Sequence, residues 1–438
     1  MNTRRGVHWA MQHGVARLAL ARSARSGDVQ ARLLTDPQAR ENPYPLHDEL
    51  RAVGPLVRGR LSYVSATHAV CSEVLRSDDF RTGDPAGLYR GRARQVFEWS
   101  RGEKVLHPLE PPSLLAVQDP DHTRYRALVG KVFTARAVAA LRGRVQDTAD
   151  QLLDDLSDRQ EEGQIDVVRP YCTLLPLMVI SDILGVDDVD RARVLAFGEG
   201  TALALDAGLS WRQFAHVDTS LRAFDAWLGD HLARLRRNPG ADLLSQLVTV
   251  TDEGRGLAET ELRSLAGLLL AAGFETTVNL LSSGTDLLLR HPDQLELLQR
   301  QDHLWPNAVE EVLRHESPVQ MTGRVAVRDT TVGGHAVPAG SGVATLLAGA
   351  NRDPAVFTAP HRFDVGRDNA REHLAFSAGR HFCLGAALAR IEGEVGLRSL
   401  FHRFPDLAAA PGAQRRPTRV LRGWATLPVR LGLPDPLS

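Results

Sequence analysis

One of the chain's three cysteines sits where a thiolate could be put to use. Cys383 closes the run Phe376-Ser377-Ala378-Gly379-Arg380-His381-Phe382 and is followed by Leu384-Gly385. Leu384, Leu388, Ile391 and Val395 then repeat at the helical period. A cysteine at a helix N-terminus faces free N–H groups and the positive end of the helix dipole. Both favour the thiolate, the form that ligates metals. Gly379 and Gly385 would let the backbone approach a flat ligand closely. His381 and Arg380 could pair with carboxylates at the edge of such a ligand. Against this stands the ordinary reading of a lone cysteine as a small buried hydrophobe.

Three further constellations carry charge or hydroxyl groups. Ala272-Gly273-Phe274-Glu275-Thr276-Thr277 lies in an apolar helical stretch, where an acid and two hydroxyls are costly unless something uses them. The plainer account is a threonine bonded back to a carbonyl, loosening the helix, with Glu275 in a salt bridge. Glu311 and Arg314 are three apart and can pair along a helix, which on a surface means little. In Asp119-Pro120-Asp121-His122-Thr123-Arg124-Tyr125-Arg126, His122 and Arg126 share a helix face. The plain reading there is a first helical turn with solvated charges.

These groups need a mostly helical body to hold them. Apolar spacing predicts helices over 122–141, 218–235, 257–289 and 306–315. Asp218 is the expected cap of the second, which Asn238-Pro239-Gly240 ends. The third is apolar on almost every side, as a buried helix is; it lacks a good cap at Ala258, although Glu261 can help its first turn. Strand signals fall at 56–65, 324–327, 330–332, 343–347 and 419–431, with Gly333-Gly334 as a turn. The expected fold is mostly α with a smaller β-rich lobe. Residues 31–438 read as one domain, and residues 1–30 as an extension, either an amphipathic helix docked on the body or a partner, or a frayed terminus.

Composition removes several function classes. With 52 Lys plus Arg against 53 Asp plus Glu, the net charge of −1 gives no general attraction to nucleic acid or an acidic membrane. Lys104 and Lys131 are the only lysines, which reads as codon bias. Three cysteines with no CxxC pair argue against a disulfide framework or a zinc site and suit a reducing cytoplasm. The longest apolar run, 265–274, is about half of the ~20 residues a bilayer needs, so no transmembrane segment is expected.

The spacing of Phe376, Gly379, His381, Cys383 and Gly385 resembles the cysteine signature of the cytochrome P450 family, with Ser377 standing where bacterial members often carry Gly. The likeness continues through Ala272–Thr277, Glu311–Arg314, His122–Arg126, Pro360-His361-Arg362-Phe363 and Phe363–Arg367, and covers nearly everything from about residue 40. It looks like the soluble bacterial type, of actinobacterial style. The resemblance implies a haem-thiolate monooxygenase with haem b sandwiched between the long helix and the cysteine-loop helix. Cys383 would be the iron ligand. His122, Arg126, Arg324 and His381 would hold the propionates, with Phe376, Gly379, Gly385, Ala272 and Gly273 against the macrocycle. Gly273 would leave room for dioxygen, Thr276 would steady the activated oxygen, and Glu275 would relay protons. Glu311, Arg314 and Arg362 would form a buried structural cluster.

O2 would give one atom to an apolar or amphipathic small molecule and the other to water, using two electrons and two protons. No GxGxxG fingerprint or flavin segment is evident, so a separate ferredoxin and ferredoxin reductase are the implied electron donors, docking around the cysteine loop near Lys131, Arg136 and Arg380. The segments 84–118, 199–213, 319–322 and 423–425 are the implied pocket walls. A peroxide-driven haem-thiolate enzyme would have less use for Glu275-Thr276, and a haem-binding sensor or carrier would need no proton relay.

Overall fold

The computed structural model of the protein describes residues 3–83, 89–102, 105–250 and 256–432. Part of the expected wall 84–118 and Lys104 therefore lie outside the described residues. The organising element is the helix Glu259–Arg290. Phe274, Val278, Leu280, Leu281, Leu287 and Leu288 along it are almost wholly buried. Helices Leu174–Ile183, Asp188–Ala204, Trp211–Arg237, Trp305–His315 and Ala386–Arg403 pack around it. Its start is secured as the sequence suggests: the Glu261 carboxylate accepts the Ala258 N–H at 2.8 Å. By length and composition this helix could cross a bilayer, contrary to the count from its longest apolar run. Of its most apolar window, 67% is buried inside the protein, the mark of a core helix.

Two expected helices have different limits. The stretch 122–141 is two helices, Asp121–Val132 and Ala135–Ala139. Phe133 leaves helical geometry at φ −91°, ψ 61°, and the Thr134 side chain caps the second helix by accepting the Ala137 N–H at 3.1 Å. The helix expected from Asp218 begins at Trp211, where Ser210 and Gln213 form a reciprocal capping box. Asp218 is mid-helix and pairs with Arg5 at 2.6 Å and Arg222 at 3.2 Å.

A five-stranded sheet forms the smaller lobe, in the order Val57–Arg58, Tyr63–Ser65, Gly342–Thr345, Thr322–Ala326, Phe80–Arg81. Tyr63–Ser65 runs parallel to Gly342–Thr345; the other pairings are antiparallel. Leu56, Val70, Val74, Phe80, Ala326 and Val343 fill its core. The hairpin Thr330–Val332 with His335–Val337 turns through Gly333 and Gly334, both at positive φ. Within 419–431 only Trp424–Thr426 and Pro428–Arg430 are strands. The irregular part is pinned by the Asp206 carboxylate, which accepts the N–H groups of Arg419 at 3.0 Å and Val420 at 2.9 Å.

Residues 3–25 form helical turns, with a wider turn at Ala10–Gly14. They lie against the helix Gly91–Arg101 and residues 208–209. Trp9 donates to the Leu209 carbonyl at 3.0 Å, Arg17 to the Gly208 carbonyl at 3.1 Å, and Tyr89 to the Met11 carbonyl at 2.6 Å. The Leu209 N–H donates to His13 Nδ1 at 3.3 Å. Burial holds His8 and His13 down to about 4, with Arg101 adding to the effect at His8 and His8 at His13. These rings are neutral when docked and bind protons more readily when free. Their contribution is therefore complete above about pH 6.5 and is lost as pH falls toward about 4. Amide exchange across residues 3–25, corrected for its intrinsic rate, is expected to quicken between about pH 7.5 and about pH 5. Equal protection at both would show that the rings do not control docking.

Candidate active site

Cys383 lies between a single 3-10 turn, Gly379–His381, and the helix Ala386–Arg403. Its N–H donates to the Phe376 carbonyl at 2.9 Å, closing the loop, and the Arg390 guanidinium lies 4.7 Å above the Phe376 ring. The thiol is accessible, whereas Cys71 and Cys172 are sealed in the core. Burial nonetheless pushes the Cys383 thiol above its usual range, against the pull of the Gly385 N–H, Arg126 and Arg390. The Gly385 N–H favours the thiolate, as the sequence suggests, but does not by itself keep the sulfur ionised. A directly coordinated cation would.

Of the two glycines expected to admit a flat ligand, Gly379 acts differently and Gly385 does not. Gly379 has φ +66°, and a Cβ there would meet the Leu75 carbonyl oxygen at 2.5 Å. Its smallness serves a tight turn against the chain at Leu75. Gly385 has nothing within 4 Å of its would-be Cβ, so it is the one that leaves open space for a flat group. Ser377 sits at φ +63°, a left-handed conformation that glycine adopts freely. Ser377→Gly is expected to stabilise the protein by about 1 kcal/mol, read as a raised unfolding midpoint. An unchanged or lowered midpoint would mean that the serine hydroxyl or unfolded-state entropy outweighs the relief of strain.

Along the central helix, Ala272 is exposed and Leu269 and Thr276 are half-buried, while Leu270, Phe274, Glu275 and Thr277 are buried. Their spacing places them on one helix face, so an interior gap runs beside that face. The Thr276 hydroxyl donates to the Ala272 carbonyl at 3.1 Å, the local loosening that threonine brings. Gly273 does not make room in this gap: its would-be Cβ points at Ile180, 2.9 Å away. It lets the helix Leu174–Ile183 approach. Glu275 is buried and ion-paired with Arg416, whose Nε donates to the Trp424 carbonyl at 3.2 Å. No local pattern in the sequence marks Arg416 as this partner, because the pairing spans 141 positions.

The basic residues expected to meet around one ligand do so in part through direct contact. The His122 and His381 rings lie 4.4 Å apart. Arg126 donates to the Phe382 carbonyl at 2.9 Å. Arg324 is buried and, among the described residues, bonds to Thr322 Oγ1 at 3.1 Å and the Gly323 carbonyl at 2.9 Å, and burial lowers it to about 10. His381 is driven down to about 3 by burial and then by Arg324 and His122. The Nε2 atoms of His122 and His381 are buried and have no hydrogen-bond partner. Arg380, by contrast, is bound to Asp78 and Asp119, so its charge is already met. Two buried imidazoles with unpartnered nitrogens, beside the buried Arg324 and the half-buried Arg126, fit a ligand that carries carboxylates. With an accessible thiol and open space at Gly385, these residues fit a haem: sulfur for the iron, His122, Arg126, Arg324 and His381 for the propionates.

The buried charge cluster has Glu311 and Arg314 as expected, joined at 2.6 and 2.8 Å. Its second arginine is Arg367, whose Nε lies 3.2 Å from Glu311. Arg362 points outward: its side chain is 67% exposed and 4.0 Å from Asp364. Only the Arg362 carbonyl takes part, accepting from Arg314 and from Arg367, both at 3.1 Å. Arg367 closes the run Phe363-Asp364-Val365-Gly366-Arg367, so its signal was present in the sequence but assigned to the wrong segment. Arg314 also donates to the Asn351 carbonyl at 2.9 Å, and Asn351 Oδ1 accepts the Leu374 N–H at 2.6 Å, just before the cysteine loop.

A model of the family described as cytochrome P450 matches residues 208–428. The chain is 54% identical over 429 residues to a putative cytochrome P450 140 of Mycobacterium tuberculosis, covering 97% of each. It is 44% identical over 318 residues to 6-deoxyerythronolide B hydroxylase of Saccharopolyspora erythraea, covering 71% of this chain and 76% of that one. Among solved structures it is similar to P450BioI in complex with acyl carrier protein ligated to hexadec-9Z-enoic acid. The TM-score is 0.81 at 32% identity, covering 90% of this chain and 99% of that chain.

Proposed function

The chain belongs to the cytochrome P450 family, monooxygenases that bind haem b, and on that footing we propose that Cys383 is the iron ligand and that an apolar or amphipathic small molecule is oxidised against Thr276. The observation that carries the assignment is the pair of unpartnered, buried Nε2 atoms of His122 and His381 beside Arg324 and Arg126. When bound, the haem activates O2, giving one atom to the substrate and the other to water.

The protein's own groups do the rest. Leu269 and Ala272 present an apolar wall to the substrate. The Thr276 hydroxyl, held on the Ala272 carbonyl, hands a proton inward when that bond turns over. Glu275 resupplies it after release from Arg416. Electrons come from a ferredoxin and its reductase in the cytoplasm, docking near Lys131 and Arg136, with Arg380 contributing less because Asp78 and Asp119 neutralise it.

The first test is the carbon monoxide difference spectrum of the reduced protein, expected to show the red-shifted Soret band of thiolate ligation. A band at the ordinary haem position would remove Cys383 as ligand. Thr276→Ala is expected to lower product formed per NADH by ~10-fold or more, with the missing electrons appearing as hydrogen peroxide. Unchanged coupling would remove Thr276 from the relay.

A further inference from the structure

A partly open pocket lies between the N-terminal segment at 33–47, residues 320–321 and the loop 415–423. It is lined by five arginines, Arg40, Arg415, Arg416, Arg419 and Arg422, together with His47. Few carboxylates answer them. Glu316 is shared by Arg422 at 2.8 Å, Arg415 at 3.3 Å and Arg352 at 3.7 Å. Glu275 serves Arg416, Asp206 takes the backbone N–H groups of Arg419 and Val420 and also faces the charges of Arg419 and Arg40, and Glu41 faces Arg422. Asp286, which also faces Arg415, is bound by Arg290. Arg422 is buried and the other four lining arginines are partly so, and positive charge gathered in this way is favoured by an anion that joins it.

Independent of the charge count, two nitrogens here have no hydrogen-bond partner among the described residues. His47 is 2% exposed, lines the pocket, and its Nδ1 has no hydrogen-bond partner. Arg40 Nε is likewise buried without a hydrogen bond among the described residues, whereas Arg415 Nη1 is met by Glu316 at 3.3 Å. Leu33, Met321 and Leu421 give the same pocket an apolar side. Its position ties it to the reaction site: Arg416 reaches Glu275 on the central helix, and Gly423 adjoins Trp424.

We propose that this arginine-lined pocket binds the carboxylate end of an amphipathic substrate and holds its apolar body toward Thr276. The proposal rests on the monooxygenase reading of the site and adds a substrate class to it. Guanidinium forks suit a carboxylate, which takes two parallel bonds.

The test uses the haem-loaded full chain at low salt, with tetradecanoic acid, its methyl ester and tetradecyl phosphate as probes. Binding is read by calorimetry and by the optical spin-state shift. The acid is expected to bind ~10-fold or more tightly than the ester. That preference is expected to fall to within ~3-fold in the double variant R40Q/R419Q and to return in R40K/R419K. Equal binding of acid and ester by the native protein overturns the proposal, as does a preference untouched in the Gln variant. Tighter binding of tetradecyl phosphate with the same dependence on the variants overturns the carboxylate and assigns a phosphate head. If the preparation lacks the thiolate band, the haem-thiolate reading fails, while the calorimetric contrast still decides the pocket.

Discussion

Cys383→Ser is expected to abolish the red-shifted carbon monoxide band and product formation while leaving the protein folded and still able to take up haem. Retention is expected because the groups proposed for the propionates, His122, Arg126, Arg324 and His381, do not depend on the sulfur. Loss of the band follows because only a thiolate pushes electron density into iron strongly enough to give it and to drive O–O cleavage. No other cysteine can take over. Cys71 is sealed in the core and held up to about 12 by burial, and the Cys172 thiol is raised further by burial. The unfolding midpoint of the apo variant should change by no more than ~0.5 kcal/mol, since the side chain is accessible. A thiolate band that survives the substitution would put the ligand elsewhere.

The second large effect concerns the buried charge cluster. Glu311→Gln is expected to cost about 3–5 kcal/mol, because it leaves the buried Arg314 and Arg367 without their carboxylate; Arg367→Ala, which leaves Glu311 its bonds to Arg314, is expected to cost about 1–3 kcal/mol. Both should also loosen haem retention, since Arg314 holds Asn351, and Asn351 holds Leu374 at the entrance to the cysteine loop. Arg362→Ala is the contrast, expected within ~0.5 kcal/mol because its guanidinium is exposed and only its carbonyl is used. Denaturant melts of the three variants decide it. A large cost at Arg362 with none at Arg367 would reverse the assignment.

The same two regions show what could be read from the chain alone. The loop around Cys383, the Ala272–Thr277 stretch, the Glu311–Arg314 pair and the His122–Arg126 turn are local patterns, and each carries its spacing in the sequence. Their order gave the family, the haem and the reaction class. The helix at 259–290 and the capping role of Glu261 were legible too, because helical period and capping act over a few residues. The Ser210–Gln213 box was equally local, and a competing cap at Asp218 obscured it.

What the sequence could not decide is which way side chains turn and whom they meet across long separations. Gly273 and Gly379 are small for Ile180 and for the Leu75 carbonyl, neighbours that only the packed structure brings close. Arg367 rather than Arg362 reaches Glu311 because the backbone between them curls so that one guanidinium points in and the other out. Arg416 meets Glu275, and Arg415 and Arg422 converge on Glu316, through the fold of the C-terminal loop over the central helix. Burial also limits a local inference: the helix end favours an ionised sulfur at Cys383, but desolvation outweighs it. Local spacing determined which chemistry this chain carries, and the tertiary structure decided the partners, protonation and charge balance, because those depend on distances that no local pattern encodes.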